Sequence, residues 1–192
     1  EKMLYDQALL IHAYLDAYLL TKDIYYSRTV DEVSEYIIRD MSASQGGFYS
    51  AEDADSKGEE GTFYIWNVSE LKKLLTDEEF EYIYDILSFN DKGNCRVEGH
   101  YTNIPHFSMN WDEISRKYGM TSGEAYDKFN NIRIKIFNYR ENRVHPQKDD
   151  KILTDWNGLM ISAMARAGSM LDKQEYIDYA KASADFIIDY LM

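Results

Sequence analysis

Three segments of the chain gather side chains that can do chemistry. The first is the acidic loop from Ser50 to Glu60, with Glu52, Asp53, Asp55, Glu59 and Glu60 close together. A carboxylate held at the mouth of a cavity can act as an acid, as a base or as a hydroxyl-binding group. Asp53, Asp55 and Gly58 also imitate the start of an EF-hand loop. The imitation fails, because Lys57 fills a ligand position and Tyr64 stands where a bidentate Glu is needed. Neither a metal nor another cofactor is expected here. Glu59 and Glu60 read best as a solvated tip, so the candidates are Glu52, Asp53 and Asp55.

The second segment runs from Arg140 to Gly158 and carries Arg140, Arg143, Asp149, Asp150, Lys151, Asp155, Trp156 and Asn157. Guanidinium and carboxylate groups so close can form a structural ion-pair network. They can equally hold an anionic or polyhydroxylated ligand. Trp156 offers a face for a sugar ring, with Asp155 and Asn157 placed to meet its hydroxyls. The third segment is Tyr5-Asp6-Gln7 with His12, polar groups in an apolar stretch. A satisfied core network is the default for such groups, and lining a cavity is the alternative.

Other chemistries lack their residues. His100, His106 and His145 have no paired metal-ligand spacing, and Cys95 is the chain's one cysteine, so an internal disulfide or Cys-x-x-Cys site is excluded. No nucleophile elbow, dinucleotide fingerprint or P-loop occurs, which leaves a nucleotide-kinase reading unsupported. A net charge of -13, from 21 Lys+Arg against 34 Asp+Glu, argues against nucleic acid and anionic membrane as partners. With no apolar run long enough to span a bilayer, the expected compartment is cytoplasmic.

The elements that must position these groups are mainly helical. The chain has 192 residues with only two Pro and ten Gly. From Met3 to Leu20 the residues are apolar almost all round, which predicts a helix buried on most sides. A second helix is expected over 24–41, joined to the first as a hairpin by Thr21-Lys22-Asp23. Short aromatic segments at 46–50 and 62–66 predict a small β-ribbon around a polar loop. The stretch 90–110 reads as an irregular excursion. Helices are expected again at 110–118, 122–141, 155–170 and 174–191. Thr76 and Thr121 have capping-box spacing, and Ser69 and Thr154 are candidate N-caps. No linker divides the chain, so it reads as a single partial domain over 1–192, with both ends inside helical patterns.

Four ordered motifs carry a resemblance: Glu1-Lys2-Met3-Leu4-Tyr5-Asp6-Gln7-Ala8-Leu9-Leu10, Gly46-Gly47-Phe48-Tyr49-Ser50-Ala51-Glu52-Asp53-Ala54-Asp55-Ser56, Gly61-Thr62-Phe63-Tyr64-Ile65-Trp66 and Asp149 to Met160. In these the chain resembles the YyaL-like family, which includes the spermatogenesis-associated thioredoxin-domain proteins. Between Thr76 and Phe137 the likeness rests on Gly93-Asn94 and Asn103-Ile104. The resemblance implies a thioredoxin-like domain followed by a six-hairpin α/α toroid, similar to N-acylglucosamine 2-epimerases and some glycoside hydrolases. This chain would then be about half of the toroid, without the thioredoxin-like domain. An open ring predicts self-association through its uncovered helix faces.

Two functions follow. One is a carbohydrate-active toroid, epimerase-like or hydrolase-like, that binds a sugar-like small molecule. Asp6, Asp53, Asp55 and Asp155 are its candidate catalytic carboxylates, and Tyr5, Trp66 and Trp156 its ring platforms. Gln7, Glu52, Arg140, Arg143, Asp149, Asp150, Lys151 and Asn157 would bind. The other is a non-catalytic module that presents a partner or substrate to a covalently linked thioredoxin-like domain.

Overall fold

A computed structural model of the chain describes residues 1–97 and 99–192. In chain order the elements are β1 (Lys2–Met3), α1 (Leu4–Thr21), α2 (Ile24–Tyr36) with a π-helical turn over Ile37–Met41, β2 (Ala51–Glu52), β3 (Asp55–Ser56), β4 (Glu59–Glu60), α3 (Val68–Leu74) and α4 (Asp77–Ile86). They continue as β5 (Cys95–Val97), β6 (His100–Thr102), α5 (Trp111–Tyr118), α6 (Ser122–Arg140), β7 (Lys148–Asp149), α7 (Thr154–Leu171) and α8 (Gln174–Tyr190). The mainly α class is confirmed. The chain forms two compact units, one from Glu1–Ala54 with Gln147–Met192, the other from Asp55–Pro146.

The first unit is built on two helical hairpins, α1–α2 and α7–α8, with α1 packed on α7. Leu4, Ala8, Ile11 and Leu15 form the buried stripe of α1, at the i, i+4, i+7, i+11 spacing of one helix face. They meet Val30, Ile37 and Met41, and Met160, Ala163, Met164 and Ala167 of α7. α1 is therefore covered on one face rather than on most sides: Leu9 is 54% exposed and Leu20 85%. α7 and α8 approach closely at Gly168, where an added Cβ would lie 2.6 Å from Ile177 Cγ1 and 2.8 Å from the Lys173 carbonyl. The inner face of α8 is Tyr176, Ala180, Ser183 and Ile187. A three-stranded antiparallel sheet, ordered β1-β2-β7, closes one end of this unit.

The second unit packs α3, α4, α5 and α6 around Trp66, Leu71, Tyr82, Ile83, Ile86, Ile114, Phe129 and Ile132. Tyr82 donates from its buried hydroxyl to the Ala125 carbonyl at 2.9 Å, and burial pushes that phenol up to about 12. Asn67, Thr76, Asn110 and Thr121 each start a helix with a full capping box. Thr76 and Thr121 agree with the sequence pattern. The N-cap expected at Ser69 is Asn67, whose partner Glu70 sits at the required spacing. A ribbon does lie within 46–66, but its strands are β3 and β4, inside the stretch expected as loop. The excursion at 90–110 holds a second hairpin, β5–β6.

Candidate functional site

The candidate groups of the first unit collect where α1 and α7 begin. One segment, Phe48 to Glu52, serves both starts. At its end Ala51 and Glu52 pair with Met3 and Lys2 on one side, and with Asp149 and Lys148 on the other. In its middle the Ser50 carbonyl accepts from the Leu4 N–H at 2.9 Å, which satisfies an orphan donor at the start of α1. Ser50 N–H donates to the Asp149 carbonyl, and Tyr49 N–H to that of Met41.

At its beginning the segment is latched by Asn157. The Phe48 N–H donates to Asn157 Oδ1 at 2.7 Å, and Asn157 Nδ2 donates to the Phe48 carbonyl at 2.9 Å. Nδ2 also donates to the Leu153 carbonyl at 3.0 Å, and Ser183 Oγ donates to Oδ1 at 3.1 Å. Two donors and two lone pairs are thus all engaged, and Asn157 is fully buried. This amide has nothing left for a ligand, so its place among the binding candidates is corrected to an internal latch. The turn before Phe48 must pass close to α8: at Gly46, φ is +99° and an added Cβ would lie 3.0 Å from the Ala182 carbonyl.

α1 and α7 therefore start without side-chain caps of their own, with Met3 and Leu153 in the N-cap positions. The cap expected at Thr154 is absent, and Thr154 is the first helical residue. In the first turns the Tyr5 and Trp156 rings meet edge to face, 4.8 Å between centroids and 74° between planes. Both are half-buried, as is Gln7, while Asp6 and Asp155 are exposed. Asp155 Oδ1 accepts from the Trp156 N–H at 2.9 Å. Asp150 and Asp53 are exposed, and the Asp53 N–H donates to the Gln147 carbonyl at 2.8 Å. Lys151 lies 2.9 Å from Asp149 and holds that carboxyl below the usual carboxylate range.

The buried Glu52 lies in a cross-strand row between Lys2 and Lys148, and its carboxylate is 3.6 Å from the Lys2 ammonium. Lys148 donates to the Asp40 carbonyl in the π-helical turn. This row fastens sheet to helix, a role the spacing of Glu52 did not reveal. A further cluster, invisible in the motifs, joins α1 to α7: Arg166 donates to the Asp16 carboxylate and reaches His12 Nδ1 at 3.4 Å. Burial, then the neighbouring Arg166, pulls the His12 imidazole below its ordinary value.

The remaining candidates belong to the second unit. Asp55 is exposed on β3. Arg143 stacks its guanidinium on Trp66 at 4.1 Å and donates from Nη1 to the carbonyls of Phe63 at 2.9 Å and Ile65 at 2.7 Å. Its Nη2 reaches Glu70 at 3.5 Å. Burial lowers the Arg143 group from its ordinary value, and Glu70 opposes that. Arg140 lies over Phe63, Tyr64 and Phe137, at 4.8, 5.2 and 5.1 Å, and pairs with Glu141 at 3.2 Å. Trp66 is buried beneath Arg143, so it presents no open ring face, and its role as a platform is corrected to a core one. Arg143 staples the irregular 62–66 segment to the end of α6.

Among the described residues no group of three or more His, Cys, Asp or Glu could hold a metal ion. No described helix is long and apolar enough to cross a membrane.

No protein-family profile matches the chain. It is 33% identical over 210 residues to spermatogenesis-associated protein 20 of Homo sapiens, covering 97% of this chain and 26% of that protein. The Rattus norvegicus protein of the same name is 31% identical over 208 residues, with the same coverage. An uncharacterized protein of Caenorhabditis elegans is 29% identical over 212 residues, covering 100% of this chain and 29% of that one. The chain thus spans about a quarter of the length of the curated relatives it matches. With such similarity along nearly its whole length, the chain belongs to the YyaL-like family that includes spermatogenesis-associated protein 20.

Proposed function

We propose that the first unit binds a sugar-like, polyhydroxylated ring at the starts of α1 and α7. The observation that carries this reading is the half-buried Tyr5–Trp156 pair, each ring residue next in sequence to an exposed carboxylate, Asp6 or Asp155. An aromatic face offers the apolar side of a sugar a surface, and carboxylates at its rim accept from hydroxyls. The two α-hairpins with parallel starts suit part of an α/α toroid. In an epimerase-like or hydrolase-like enzyme Asp6 and Asp155 would be the catalytic carboxylates, with Asp53, just past the central strand β2, as a further one.

The test is a panel of neutral glycans and sugar phosphates, offered to this chain and to a full-length relative, with tryptophan fluorescence and product formation as readouts. Tyr5→Ala and Trp156→Ala should each weaken ring binding by roughly fivefold, the loss of one stacking contact of about 1 kcal/mol. Binding by no member of the panel, or binding indifferent to both substitutions, would sink the reading.

A second reading is a non-catalytic module that presents a ligand or partner to a linked thioredoxin-like domain. The extent of the human relative favours it, since 26% coverage leaves room for further domains there. Ring binding without turnover in the full-length relative would select it. Self-association belongs to either reading, supported by the exposed Leu9 and Leu20 of α1, and sedimentation would detect it. A cytoplasmic setting agrees with the free Cys95.

A further inference from the structure

We infer that Asn157 is a positioning residue for the Tyr5–Trp156 face and acts through the Phe48–Glu52 segment. The inference rests on the reading of that face as the binding surface. Tyr5 follows Leu4, whose N–H is held by the Ser50 carbonyl at 2.9 Å. Trp156 precedes Asn157, whose amide holds both polar groups of the Phe48 backbone, at 2.7 and 2.9 Å. Only Tyr49 separates Phe48 from Ser50, two steps of extended chain that span about 7 Å. One short piece of backbone therefore gauges the distance from the first turn of α7 to the first turn of α1, and with it the geometry of the two rings.

The gauge is stiff at both ends. Beyond Ser50 the segment is paired on both sides, with β1 and with β7. Before Phe48, Gly47 is buried, and an added Cβ there would lie 3.1 Å from Ile152, three residues ahead of Asp155. Asn157 is also tied to α8 through Ser183 at 3.1 Å, so the latch is braced from behind. Met41 accepts from the Tyr49 N–H at 2.8 Å, which fixes the middle of the segment against the π-helical turn. If the amide is removed, Phe48 is released from α7 while Ser50 stays on α1. The Trp156 ring then loses its reference to Tyr5, although the helices keep their core.

The test labels the full chain with 5-fluorotryptophan and follows the three fluorine resonances of Trp66, Trp111 and Trp156, the last assigned by its loss in Trp156→Phe. In Asn157→Ala the Trp156 resonance should move or broaden away, while those of Trp66 and Trp111 stay in place and far-ultraviolet ellipticity is kept. Val30→Ala, a cavity in the same core but on α2, should leave the Trp156 resonance where it was. A folded Asn157→Ala with a wild-type Trp156 resonance overturns the inference, as does an equal displacement in Val30→Ala. Should Asn157→Ala fail to fold, Asn157→Ser is read by the same two criteria. Because no ligand enters the measurement, its failure leaves the binding reading standing, and failure of the glycan panel leaves this result standing.

Discussion

The two units start their helices in different ways. In the second unit, Asn67, Thr76, Asn110 and Thr121 each close a capping box with a Glu three residues on. Those starts are local: the chain within one turn satisfies its own orphan N–H groups. In the first unit α1, α7 and α8 have no side-chain cap, and only α2 has one, from Asp23. α1 begins on the Ser50 carbonyl, and Asn157 in the first turn of α7 is held by the Phe48 backbone. A helix start held by distant chain brings distant residues to one place. That is how Tyr5 and Trp156 come to meet across the first unit.

The largest test of this contrast is Asn157→Ala. It strands the Phe48 N–H and carbonyl in a buried place, where each unsatisfied group costs about 1–3 kcal/mol. A loss of about 3 kcal/mol is expected for the first unit, read as faster amide exchange in α1 and α7, with the second unit's amides little changed. Uniform acceleration across both units would break the comparison.

The second unit has a distant staple that is charged rather than neutral. Arg143 grips the carbonyls of Phe63 and Ile65 while its guanidinium sits over the Trp66 ring. Lysine keeps the charge but lacks the planar fork, so Arg143→Lys should cost about 2 kcal/mol, seen as a lowered urea midpoint and a red-shifted Trp66 emission. An unchanged midpoint would mean that charge alone holds the 62–66 segment. Next in size is a local start: Thr76→Ala should cost about 1 kcal/mol and fray only the first turn of α4. If it loosened α6 as well, the starts of the second unit would not be local.

This difference also decides what could be read from sequence. Thr76 and Thr121 are legible because the partner Glu lies three residues away. Thr154 misleads for the opposite reason: its type fits an N-cap, but the start of α7 is governed by Asn157 and, through it, by Phe48, 109 residues away in the chain. The motif containing Asn157 stood out, yet an amide beside a tryptophan looks the same whether it faces a ligand or a backbone. Ser183 held the missing signal, a hydroxyl on the inner stripe of α8 between Ala180 and Ile187 that needs a buried partner. Arg140 and Arg143 were legible as a network or a ligand site. For Arg143 the geometry chose the network, because the carbonyls of an irregular segment lie within its reach.

The smallest effect separates the two units by pH. His12 titrates below its ordinary value in the folded chain, chiefly through burial and then through Arg166. A free histidine takes its proton near about 6.5, so as pH falls past that point the unfolded state gains the proton first, and the first unit loses stability. In the second unit burial works against the Asp85 carboxylate, but hydrogen bonds from Lys117 and Tyr118 outweigh it and hold that group below its usual range. Its contribution is complete above the unfolded value of about 3.9 and is lost only as pH falls through the lower folded one. Between pH 7 and 5, then, the protection factors of amides in α1 and α7 should fall while those around Asp85 in α4 stay level; below about pH 4 the second unit should follow. His12→Gln should flatten the first slope and leave the second untouched. A slope that survives the substitution would move the sensitivity away from the α1–α7 seam, and with it the claim that this seam depends on a neutral His12 accepting from Arg166.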